Sequence, residues 1–284
     1  MRRACGWRAA LALAILLSPV AAAAQQRPLL TEDPETIGAG LVLLEGGFDI
    51  AADAVYPATG LKGTLLRLPV VGVSVGISSI AEIQVDGGFY NRLTIKERFD
   101  APLAGRVTAE GDRTSSLEDL VIGTKVRLLG ETAGRPALGL RFATRLPNAS
   151  NESGLGLDTT DFFFSVLVGK TIQSVRFVGN VGAGILADPT EGARQNDVLT
   201  YGFSVARAVA QGLEVVGEIN GHLHTASFEA APGTDTRAAM RVGGRYTYGA
   251  GRVDAGLIVG MTSRDPSFGF TMGFTYVFHA FRVP

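Results

Sequence analysis

The stretch "AEIQVDGGFYN", Ala81 to Asn91, alternates almost without fault. Glu82, Gln84, Asp86 and Tyr90 fall on one face and Ile83, Val85 and Phe89 on the other, the period of two that a β-strand imposes on its side chains. Which face lies inside decides the fold. Apolar side chains turned inward make a water-soluble sandwich; turned outward, against hydrocarbon, they make a transmembrane barrel.

The compartment is read from the first residues. Arg2, Arg3 and Arg8 precede an apolar run from Ala9 to Leu17, and Ala22-Ala23-Ala24 offers a small-residue cleavage site, so residues 1–24 read as a secretory signal peptide. The run is shorter than the roughly 20 apolar residues of a membrane-spanning helix, which argues against a single anchor. The sole cysteine, Cys5, leaves with the leader, so the processed chain has no disulfide or thiolate chemistry. Cleavage removes three arginines and no acid, leaving 23 basic against 27 acidic residues, a net of −4. Nothing in that balance recruits nucleic acid.

Beyond residue 24 no apolar run approaches helix-spanning length, yet hydrophobic residues make up 46% of the chain and glycine numbers 37. The apolar content is therefore distributed along strands. Alternating segments of about ten residues, about a dozen of them, are separated by Gly, Pro, Asn, Asp and Ser clusters. They run near 40–50, 61–77, 80–93, 117–129, 136–146, 160–170, 175–187, 198–208, 213–224, 237–248, 252–262 and 268–281. The spacers alternate too. "SS", "GETAG", "TIQS", "AQG" and "GAG" are tight, whereas 94–116, 147–159, 188–197 and 225–236 are long. Short turns on one side and long loops on the other mark an outer-membrane barrel, and an even strand count returns both termini to the periplasmic side.

The opening question is settled by the residues that share the phase of Ile83. One face reads Val42, Leu44, Phe48; Leu120, Ile122, Val126; Leu138, Leu140, Phe142; Phe162, Phe164, Val166; and Phe177, Val181, Ile185. The other carries Glu45, Asp49, Glu82, Asp86, Asp119, Asp161, Glu214, Glu218 and Asp254 together with nine basic residues, among them Lys125, Arg141, Arg145, Arg176, Arg237, Arg241 and Arg245. A soluble sandwich needs no aromatic bands at its strand ends. Here Phe89, Tyr201, Phe203, Tyr246, Tyr248, Phe268, Phe270, Tyr276 and Phe278 cluster toward such ends, as interfacial girdles do. The apolar face is accordingly assigned to lipid and the charged face to the lumen. Lys170 and Arg207 share the lipid phase but sit beside tight turns, where long side chains reach the headgroups. A one-residue slip in the apolar phase across Pro69 predicts a β-bulge.

The stretch "RLPNASNESGLGLDTTDFFFSVLVGKTI", Arg145 to Ile172, resembles the outer-membrane family named for the MetA pathway of phenol degradation. The shared features are a strand ending in Leu146-Pro147, a polar glycine-rich loop over Gly154 to Leu157, Thr160-Asp161 opening the next strand, and Lys170-Thr171 closing it. The resemblance implies an outer-membrane channel for small, often aromatic or apolar compounds. The ending "FTYVFHAFRVP" departs from the terminal aromatic residue read by the barrel-assembly machinery, leaving Phe278 or Phe281 to serve.

The expectation is thus an all-β, antiparallel up-and-down transmembrane barrel of about 12 strands, with residues 25–284 as one domain. It would pass small solutes passively, without a cofactor, through a narrow lumen lined by Glu82, Asp86, Arg141, Arg145, Arg176, Glu214, Glu218, Arg237, Arg241 and Arg245. Its partners would be outer-membrane lipid, the solute and the assembly machinery, and the 94–116 loop would gate the mouth. Equal numbers of inward acids and bases leave no single-sign field along the pore, and cross-strand ion pairs could pack it nearly shut. The rival readings are a closed structural or ligand-binding barrel acting through its loops, and a barrel lipid hydrolase. For the latter, "EINGHLHTAS" offers Asn220, His222, His224 and Ser227, but the serine two residues after a histidine that barrel phospholipases use is absent. The His222–His224 pair, on one face with Glu218, lacks a third metal ligand on another segment.

Overall fold

The structure, a computed structural model, describes residues 27–192 and 194–283; the expected leader, residues 1–24, lies outside them. Fourteen strand segments form a single antiparallel sheet. They are β1 (Leu41–Tyr56), β2 (Leu61–Gly76), β3 (Ala81–Gly88), β4 (Asn91–Arg98), β5 (Arg113–Ser116), β6 (Leu120–Leu129), β7 (Ala137–Leu146), β8 (Asp161–Ile172), β9 (Val175–Ala187), β10 (Gln195–Ala210), β11 (Leu213–His224), β12 (Arg237–Tyr248), β13 (Gly251–Gly260) and β14 (Phe268–His279).

β1 pairs with β2 along one edge and with β14 along the other, so the sheet closes on itself, leaving only the short β5 paired on one side. The lower half of β2 pairs with β3 and the upper half with β4, while β6 pairs with β3 and β5 with β4. β3 and β4 are therefore one wall strand interrupted at Phe89 and Tyr90, and β5 and β6 another, interrupted at residues 117–119. Fourteen segments less these two interruptions give twelve wall strands. Every strand neighbours the next in sequence, which is the up-and-down order, and tight turns such as the one at Gly212, with φ +73°, reverse the chain where a side chain would strain it.

The burial pattern is that of a protein turned inside out. Phe142 and Phe162 are each 52% exposed, whereas Glu82, Lys125 and Asp161 are wholly buried. In water this order would be ruinous, since burying charge costs and exposing apolar surface gains nothing. In a bilayer it is the stable arrangement, because hydrocarbon takes the place of the core. Rings on the outer face pack across strands, with Phe142 and Phe164 centroids 5.0 Å apart. Near the periplasmic end Phe274, Tyr276 and Phe278 stack in series.

The bulge expected at Pro69 is present. Gly47 is opposite Val70 and Asp49 is opposite Arg67, so Leu68 and Pro69 together face the single residue Phe48. Pro69, lacking an N–H, sits where the ladder is already broken. Two expectations need correction. Tyr90, assigned to the inward face, is exposed like its neighbour Phe89, because the strand breaks at these two residues and the alternation does not pass through them. The 94–116 loop is shorter than expected. The strand runs on to Arg98 and the next begins at Arg113, because Leu93 and Ile95 continue the alternation and pack with Ala54, Leu61 and Val107 above the membrane band.

Candidate functional site

The lumen is filled from below by a strap that precedes the barrel. Residues 27–37, "RPLLTEDPETI", enter from the periplasmic side at β1 and climb to mid-barrel, where Arg27 lies against Asp49 and Asp254 at 3.7 and 3.6 Å and donates to Thr271 Oγ1 at 2.9 Å. The strap has no regular structure, so its backbone groups must be satisfied by side chains of the wall. Glu218, inward on β11, does most of this. Its carboxylate accepts the N–H groups of Leu30 and Thr31 at 2.8 Å each and the Thr31 hydroxyl at 2.6 Å, and it faces Arg241 at 3.4 Å. Asn180 on β9 accepts the Glu32 N–H and donates to the Glu32 carbonyl, and Glu82 accepts the Ile37 N–H at 2.7 Å.

The acids of the strap complete a charge network with the bases of the wall. Lys125 is wholly buried between Glu82 at 3.0 Å and Glu32 at 3.5 Å, and Arg141 Nε reaches Glu32 at 3.0 Å. Arg176 forks onto Asp33 at 2.7 and 2.9 Å and also holds Glu131; Arg127 holds Glu35. The two-pronged guanidinium–carboxylate geometry is the strong form of this contact.

Glycines in the wall give the strap its room. A Cβ at Gly243 or Gly256 would come within 3.1 or 3.3 Å of Pro28, and one at Gly169 would come within 2.9 Å of Pro34. One at Gly202 would sit 2.9 Å from the Thr31 hydroxyl. Leu29 packs on the inward Ala206 and Val216. Small residues at inward positions therefore form a track along which the chain lies against the wall.

Two adjoining cavities remain above and beside the strap. The inner one, about 480 Å³, has strap residues Arg27 to Glu32 in its wall. The outer one, about 490 Å³, lies between Tyr56, Leu65 and Arg237 and the loop residues Leu155 and Leu157. Arg67, Glu118, Asp119, Val121, Arg145 and Phe163 line both, so the cavities meet at this ring. Arg67 is held by Asp49 and by Glu118 at 2.6 Å, and Arg145 by Asp161 and Asp119. Glu118 and Asp119 belong to the interruption between β5 and β6, and a Cβ at Gly88 would lie 2.5 Å from Glu118 Oε2. The break in the wall is what lets these two carboxylates turn to the ring.

The mouth is shaped by the 147–160 loop. Gly154 accepts the Thr59 hydroxyl at 2.7 Å through its carbonyl, and Leu155 packs with Leu61 and Leu93. No residue of 94–116 lines either cavity, which corrects its expected place at the gate. That segment instead buttresses the covering loop from outside, with Thr108 N–H donating to the Glu152 carbonyl at 2.9 Å.

The remaining residues singled out in the sequence have these positions. Asp86 lies 3.9 Å from Arg141, and Glu214 pairs with Arg245 at 2.7 Å directly across the β11–β12 ladder. Glu218 stands opposite Arg241 and His222 opposite Arg237 on the same ladder. His222 Nε2 lies 2.8 Å from the Asp235 carbonyl, while His224 bridges Asn196 and the Phe228 carbonyl. Both imidazoles are thus tied to loop structure, and among the described residues no cluster of three metal-ligating side chains occurs. The strap escaped the sequence reading. Its signal was the acidic "TEDPET" beside a wall rich in inward arginines.

No curated protein matches the sequence. Among solved structures the chain is similar to an outer-membrane channel from Pseudomonas putida F1, with a TM-score of 0.61 and 14% identity over 87% of this chain and 98% of that one. It is also similar to the NanC porin, with a TM-score of 0.52 and 9% identity over 83% and 98%. At such identities the likeness is one of fold, that of an outer-membrane barrel. The model of one family, that of the MetA-pathway of phenol degradation, matches residues 34–278. The chain belongs to that family and is one of its outer-membrane β-barrels.

Proposed function

We propose that the chain is a passive channel for small apolar or aromatic solutes, not an enzyme. Solute enters the outer cavity, passes the ring at Arg67, Glu118, Asp119 and Arg145, and reaches the inner cavity above the strap. The single observation that carries this reading is the pair of adjoining cavities inside a wall of mutually paired charges. Each has the size of a small-ligand site, typically 300 to 1,000 Å³. In this reading Asp86, Arg141, Arg145, Arg237 and Arg241 line the narrow passage, while Glu82, Arg176 and Glu218 hold the strap beneath it and Glu214 and Arg245 hold each other. Because all of these but Arg237 are held by a partner of opposite charge, most of the passage sorts by size and polarity and exerts little pull on ions of one sign. The apolar solutes implied by the family fit the Leu, Phe and Val surfaces between those pairs. Residues 25–284 act as one exported barrel domain in lipid.

A second reading is favoured by one observation, the strap. Residues 27–37 occupy the periplasmic half of the lumen, so a closed barrel acting through its outer loops is its natural alternative. The two are separated in liposomes loaded with the purified, processed protein. Swelling with phenol or a small sugar supports the channel, and a deletion of residues 27–37 that keeps the barrel folded should enlarge the flux. No flux from either protein leaves the closed barrel as the function.

A further inference from the structure

Three arginines line the outer cavity, and two of them are spent. Arg67 is held between Asp49 and Glu118, and Arg145 between Asp161 and Asp119. Arg237, on the first residue of β12, is different. Among the described residues no carboxylate lies within ion-pair distance of its guanidinium, and its one hydrogen bond is a long one, 3.4 Å, to the Val55 carbonyl. The acids nearest it in sequence are committed elsewhere. Asp235 pairs with Arg264 at 3.3 Å and accepts the Gly233 N–H, and Asp265 accepts the Ala238 N–H and the Thr262 hydroxyl. His222, directly opposite on β11, is turned to the Asp235 carbonyl.

In a lumen where almost every inward base has an acid, a guanidinium with open donors in a cavity wall is an unfilled half of a pair. The wall also carries the acids Glu118 and Asp119, but these are paired with Arg67 and Arg145, and the same cavity has an apolar set in Leu65, Leu155, Leu157, Phe163 and Leu186. A guanidinium offers two parallel N–H donors matched to a planar carboxylate, and an apolar wall takes an aromatic ring. We propose that the outer cavity is a binding site for small aromatic monocarboxylates, with the carboxylate on Arg237 and the ring against Leu155, Leu157 and Phe163. This rests on the channel reading in that it names the class of solute the entrance selects. It also separates acids from the neutral aromatics of the same size, since a neutral hydroxyl gains only an ordinary hydrogen bond from the same donors.

The test is calorimetric titration of the processed full chain in detergent micelles with benzoate, and with benzyl alcohol as its neutral counterpart. Benzoate should bind at least tenfold more tightly than benzyl alcohol. Arg237→Gln should lose at least that factor for benzoate and change benzyl alcohol little, and Arg237→Lys should lie between. Equal binding of the two probes by the wild-type protein, a comparison that needs no variant, overturns the proposal, as does undiminished benzoate binding by a folded Arg237→Gln. Conductance measured alongside separates the two ideas. A wild-type barrel that conducts but does not prefer benzoate has no such site and remains a channel. One that binds benzoate through Arg237 but passes nothing keeps the site and is no channel.

Discussion

Glu218→Ala should release the strap. The wild-type carboxylate accepts three hydrogen bonds from it, from the Leu30 and Thr31 N–H groups and the Thr31 hydroxyl. A hydrogen bond to a charged partner contributes about 1.5 to 3 kcal/mol when buried. Water that enters the lumen replaces part of each, so about 1 kcal/mol per bond, or roughly 3 kcal/mol in all, is a conservative figure. At about 1.4 kcal/mol per factor of ten, the detached strap becomes about a hundredfold more populated. Because the sequence has no cysteine after Cys5, a single reporter in a chain that starts beyond it reads this directly. Leu29→Cys, buried against Ala206 and Val216, should be labelled by a water-soluble maleimide about a hundred times faster in the Glu218→Ala background. In Glu218→Gln, which keeps a neutral acceptor, the gain should be about tenfold. Labelling unchanged by Glu218→Ala would refute the claim that this carboxylate fastens the strap.

Other predictions follow from the same contacts. Gly256→Leu places a side chain where Pro28 lies and should speed labelling of Leu29→Cys without touching any charge; a rate like that of the parent would show that the glycine track does not seat the strap. Lys125→Met leaves Glu82 without its cation and Glu32 with Arg141 alone, and should cost about 3 to 5 kcal/mol in urea unfolding from vesicles, with Glu82→Gln restoring part of the loss. Val181→Arg, mid-strand on the outer face, should cost about 2 to 4 kcal/mol in the same assay, whereas outward Arg207 at its strand end is tolerated. Glu131, in the β6–β7 turn, is pushed up by burial, but the Thr171 N–H and the Arg176 guanidinium outweigh that and hold its carboxyl below the ordinary value. A depressed carboxyl stabilises the fold above its unfolded-state pKa and loses that contribution as pH falls through its folded one. Unfolding midpoints should therefore decline on acidification below about 4.5, with a shallower slope in Glu131→Gln.

The barrel was legible because lipid and lumen enforce the same period of two on every strand. Ile83, Phe142 and Phe162 could be sorted from Glu82, Arg141 and Asp161 by parity alone, and the structure exposes the first three, buries Glu82 and Asp161, and partly buries Arg141. The pairs across β11 and β12 were equally plain, since Glu214 and Arg245, or Glu218 and Arg241, are near in sequence and join in one hairpin. What parity cannot carry is a contact between a strand and a segment without period. Glu32 meets Lys125 and Leu30 meets Glu218 across separations of 93 and 188 residues, and nothing local announces either. The interruptions at Phe89–Tyr90 and at 117–119 were hidden for a related reason. Gly87 and Gly88 keep the count of alternation while letting the backbone leave the wall, so the pattern ran smoothly through a break.

The most direct measurement returns to residues 81–91. Nitroxide labels placed singly at Ile83, Gln84, Val85 and Asp86 of the barrel in phospholipid vesicles report collisions with oxygen, which concentrates in hydrocarbon. High accessibility at 83 and 85 and low accessibility at 84 and 86 is the expected result. Uniform values, or the opposite alternation, would contradict an outward apolar face and a lumen of paired charge.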